Sequence, residues 1–102
     1  MFGMAGNVPS VIGMSWYSRE SYSRILKIME DADKLPLEFD QWLKKAETGE
    51  SKLQRAGHIV VRAVIDPDKF VAWCLARDLK VDAQARMQWA NECAFRQFKG
   101  SH

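Results

Sequence analysis

The segment GHIVVRAVID, from Gly57 to Asp66, constrains this chain more than any other stretch. Ile59, Val60, Val61, Val64 and Ile65 are β-branched, a shape that fits a pleated strand better than a helix. Gly57 suits the left-handed end of a preceding helix, and Asp66–Pro67 suits the start of a following one. One strand is therefore expected over about 58–65, and everything around it reads as helix. A lone strand leaves a row of backbone N–H and C=O groups unpaired, which is costly to bury. It must pair with a second chain or with the N-terminal segment. The first alternative points to a homo-oligomer, in the simplest case a dimer.

The helices follow from apolar spacing. Trp16–Met29 is expected to be the first, capped by Ser18, with Tyr22, Ile25, Leu26 and Met29 on one face. Pro36 suits the first turn of a second, with a stripe of Phe39, Trp42, Leu43 and Ala46. Gly49 weakens that helix near its middle and allows a bend there. After the strand, Asp66 caps a third helix whose stripe is Phe70, Val71, Cys74 and Leu75. Asp82 caps a fourth, with Ala83, Met87, Ala90, Ala94 and Phe98 inward. The expected fold is α+β, mostly helical, in the order α-α-β-α-α.

At 102 residues the chain makes one domain. It is expected to span 16–98, after an extension over 1–15 that is disordered or a short strand, and before a tail over 99–102. Met14 is an alternative start. The net charge of +2 demands neither nucleic acid nor an anionic membrane. No run approaches the roughly 20 apolar residues of a membrane span, and no export signal precedes the domain, so a cytoplasmic location is expected. Cys74 and Cys93 lack metal or redox spacing and read as buried free thiols.

A catalytic constellation is hard to assemble. His58 is the one histidine away from the C-terminus, and both thiols sit mid-helix, away from the N-terminal dipole that would activate them. No glycine-rich phosphate loop occurs, and no metal or cofactor is expected. The aromatic residues carry more information. Four tryptophans are many for a core this small, and rings left outside a core mark interfaces. Trp73 and Trp89 are the candidate contacts, with Val60 and Val64 on the strand.

Two resemblances bear on function. The segments WYSRE (Trp16–Glu20), LPLEFDQWLKKAE (Leu35–Glu47) and VVRAVIDPDKFVAWC (Val60–Cys74) resemble a group of short bacterial proteins with no assigned activity. That resemblance implies a self-contained bacterial domain and no functional residue. Separately, HIVVRAVI, DPDKFVAWCLARDL and VDAQARMQWANECAF, within 58–98, are similar to ribbon-helix-helix DNA-binding proteins. It implies two chains pairing their strands into a ribbon that enters the major groove. His58 and Arg62 would then meet bases, and Lys69, Lys80 and Arg86 phosphates. Alternation, however, puts His58, Val60, Arg62 and Val64 on one face, and Ile59, Val61, Ala63 and Ile65 on the other. Apolar residues on both faces suit a sheet buried between helices. The favoured expectation is a non-enzymatic interaction or assembly domain, with a DNA-binding regulator as the alternative.

Overall fold

A computed structural model describes residues 10–100, with side chains through Gln97. Strand β1 (Val11–Trp16) comes first, followed by helix α1 (Tyr22–Ile28), a 3-10 turn at Ala32–Lys34 and helix α2 (Phe39–Arg55). Strand β2 (Ile59–Val64), helix α3 (Pro67–Ala76) and helix α4 (Ala83–Gly100) complete the described chain. The order is β-α-α-β-α-α, which corrects the α-α-β-α-α order expected from the sequence. A strand opens the fold where a helix was expected to begin at Trp16.

The reason lies in how β1 is held. VIGMSW carries two β-branched residues beside a glycine and a serine, so its own propensity is weak. The ladder to β2 makes it a strand. The two run parallel, with Val11 opposite Ile59 and Trp16 opposite Val64, and α1 and α2 supply the crossover that parallel strands need. Helix α1 therefore begins later, at Tyr22. Ser18 lies upstream, where its hydroxyl accepts from the Ser21 N–H at 3.2 Å instead of capping the helix.

Alternate residues of β1 face opposite layers. Met14 and Trp16 turn toward α2: Met14 Cε lies 3.4 Å from where a Cβ on Gly49 would stand, and the Trp16 and Trp42 rings meet edge-on at 5.1 Å. Helix α2 runs unbroken through Gly49, whose missing side chain admits Met14. Gly13 turns the other way, against Ala90 and Ala94 of α4. The two-stranded sheet is thus sandwiched between α2 and α4, the covering on both faces that parallel strands require. On β2, Val61, Ala63 and the following Ile65 are buried.

The caps expected from sequence are present at α3 and α4. Asp66 Oδ1 accepts from the Lys69 N–H and Asp82 Oδ1 from the Ala85 N–H, each at 3.1 Å. The buried face of α4 is rotated from the expected stripe. Ala85, Arg86, Ala90 and Ala94 are inside, while Ala83 and Met87 are exposed. The small alanines let α4 approach β1 closely, and a methionine there would hold it away. The side chain of Phe98 lies outside the described residues. No described helix is long and apolar enough to cross a membrane.

Candidate interaction surface

The main chain of β2 is directed by its ladder. Ile59 N–H donates to Ser10 C=O at 2.8 Å, and Ile65 N–H donates to Trp16 C=O at 2.9 Å. In a parallel pair, alternate residues bond to the same neighbour, so 59, 61, 63 and 65 face β1. Val60, Arg62 and Val64 turn their N–H and C=O groups to the opposite edge. Among the described residues β2 has β1 as its one neighbouring strand, so that edge is free. Val64 is 57% exposed and Val60 half-buried. The expectation of burial on both faces is met in part: α2 lies over Met14 and Trp16 and reaches Arg62 through Glu50, while Val64, at the end of the strand, stays exposed.

Arg62 sits at the centre of the free edge and is fully engaged. Its guanidinium donates twice to the Glu50 carboxylate, at 2.7 and 2.8 Å, and lies 4.0 Å above the centre of the Trp16 ring. The hydrogen bonds from Arg62 hold the Glu50 carboxyl below its usual range. The fork-to-fork pair and the stacked ring are geometries that arginine offers and lysine does not. Neither partner was marked by the sequence: Glu50 lies twelve positions away, on α2.

The other candidate residues separate. Lys69 on α3 and Lys80 on the connection to α4 are exposed. Arg86 is buried, with 10% side-chain exposure, and is paired bidentately with Asp31 at 2.8 and 2.9 Å. His58 is half-buried before β2, and its Nδ1 is enclosed without a hydrogen-bond partner among the described residues. The residues proposed for phosphate and base contact thus do not converge on one exposed face.

Trp73 and Trp89 are half-buried and meet each other edge-on at 5.4 Å. Phe70 completes the cluster, stacked 5.9 Å from Trp73 and edge-on 5.4 Å from Trp89. These rings join α3 to α4. Arg77 closes over the outer side of Trp73 at 4.4 Å. Cys74 lies beneath, fully buried, and its burial pushes the thiol pKa up. Among the described residues no three His, Cys, Asp or Glu side chains gather as a metal site would need. Comparison of the chain with protein-family models, with curated proteins and with solved structures gives no match.

Proposed function

We propose that this chain is a non-enzymatic assembly domain that forms a homodimer through the free edge of β2. The observation that carries this reading is that edge itself: the outward main chain of Val60, Arg62 and Val64, flanked by an exposed valine. Two copies related by a two-fold axis would pair β2 antiparallel with β2, giving a four-stranded sheet in the order β1-β2-β2-β1. Monomeric proteins blunt such edges with lysines, prolines or bulges. Here the one charge on the edge strand, Arg62, is already neutralised by Glu50.

Light scattering on size-exclusion fractions tests the reading. The full chain is expected to elute as a dimer at micromolar concentration. Val64→Pro removes an N–H that faces the free edge and leaves the ladder to β1 intact, so it should yield a folded monomer. Val64→Lys should do the same by placing charge beside the pairing strand. A parent chain that stays monomeric throughout would defeat the proposal. Salt-dependent binding of the dimer to duplex DNA would instead favour the ribbon-helix-helix alternative.

A further inference from the structure

A second surface, away from the β2 edge, has a chemistry of its own. Lys34, Leu35 and Pro36 form one wall of an open groove of about 740 Å³, and Gln41, Lys44, Lys45 and Thr48 form the other. The α2 residues have the spacing i, i+3, i+4, i+7, a single stripe on the side of the helix away from buried Trp42 and Ala46. The opposite wall is fixed in place. Tyr22 Oη–H donates to Pro36 C=O, and Lys34 N–H donates to Asp31 C=O.

Three lysines, Lys34, Lys44 and Lys45, line this groove. Among the described residues none of Lys34, Lys44 and Lys45 makes an ion pair. Several nearby carboxylates are already taken: Asp31 by Arg86, Asp40 by Arg19, Glu50 by Arg62. Asp33, Glu38 and Glu47 do not line the groove. Thr48 donates its hydroxyl proton to Lys44 C=O, so its oxygen faces solvent as an acceptor. The groove therefore offers positive charge, an amide, an acceptor and a small apolar floor from Leu35 and Pro36.

We infer that this groove binds an acidic peptide segment of a partner protein. The lining lacks the groups that other anionic ligands use best. It has no aromatic ring on which a base could stack, which single-stranded nucleic acid would use. It has no arginine for bidentate capture of phosphate. It is open along its length, whereas small-molecule sites enclose most of their ligand. Lysine point charges on flexible stems suit carboxylates spaced along an extended chain.

Fluorescence anisotropy of the full chain with a labelled ten-residue peptide of alternating glutamate and leucine tests this. The peptide should bind at low salt and weaken as salt is added. Its glutamine–leucine analogue should bind about tenfold more weakly, the loss expected for a few exposed ion pairs. The triple variant Lys34→Gln/Lys44→Gln/Lys45→Gln should lose the glutamate peptide to the same extent with unchanged melting temperature. On the unaltered chain, amide shifts on titration should cluster at Gln41 and Thr48. Equal binding of both peptides, an unaffected triple variant or shifts mapping elsewhere would overturn the inference. So would tighter binding of an oligothymidylate that is lost in the same variant.

Discussion

Gly13 has no room for a side chain. A Cβ there would stand 2.0 Å from the Ala90 carbonyl oxygen and 2.5 Å from its carbon, both backbone atoms of α4. Backbone cannot swing aside as a side-chain tip can, so Gly13→Ala must push α4 off the sheet. The expected cost is about 3 kcal/mol, the upper range of overpacking, read as a lower urea midpoint. Asp78 presents the reverse case, an L-residue at φ +55° just after α3. The left-handed region costs such a residue about 1–2 kcal/mol, against the roughly 0.5–1 kcal/mol of extra unfolded freedom that glycine brings. Asp78→Gly should therefore raise stability by about 0.5 kcal/mol, a small upward shift of Tm.

Between elements, the Arg86–Asp31 pair ties α4 to the turn that follows α1. Both side chains are largely shielded, with 10% and 14% exposure, and Arg86 also donates to Met29 Sδ at 3.3 Å. Asp31→Ala would strand a guanidinium in that setting, and a loss of about 3 kcal/mol is expected. The pair also sets a pH dependence. Hydrogen bonds from Arg86 lower the Asp31 pKa in the folded chain. Its contribution is present above the unfolded value of about 3.9 and is lost as pH falls through the lower folded value. Acid denaturation curves of the parent should thus carry a stability loss on the acid side of pH 4 that Asp31→Ala lacks (about one proton's linkage). Arginine chemistry is similarly spent elsewhere: Arg62 on Glu50 and Trp16, Arg77 on Glu92 and Trp73, Arg19 on Asp40 and Phe39. Among the described residues no lysine makes an ion pair.

For the whole molecule, the two-stranded sheet is the incomplete part. Its faces are served by α2 and α4, but the outer edge of β2 is bare among the described residues. If that edge pairs between copies, folding and association are linked and Tm must rise with protein concentration. A tenfold increase in concentration should raise the parent's Tm and leave Val64→Lys unmoved, measured by circular dichroism across the same range. The aromatic residues are mostly spent inside, and the two offered as contacts, Trp73 and Trp89, are half-buried. Trp16, Tyr17, Tyr22, Phe39 and Trp42 form one cluster between α2 and the start of the fold, and Phe70, Trp73 and Trp89 form another.

Local chemistry alone determined a good part of this protein. The β-branched run made β2, Asp66–Pro67 and Asp82 opened α3 and α4, and Gly57, at φ +96°, closed the turn after α2. Each of these is decided by a residue's own shape or by a bond to a neighbour a few positions away. Val60 and Val64 lie on that strand for the same reason. What the tertiary structure decided depends on distant partners. VIGMSW is a strand because β2 lies beside it, forty-eight positions along the chain. Arg86 turns inward because Asp31, fifty-five positions earlier, meets its charge, and that rotates the buried face of α4 away from Met87. Arg62 looks free in sequence and is held in space. A pattern one turn or one strand long cannot encode a neighbour that only folding brings near.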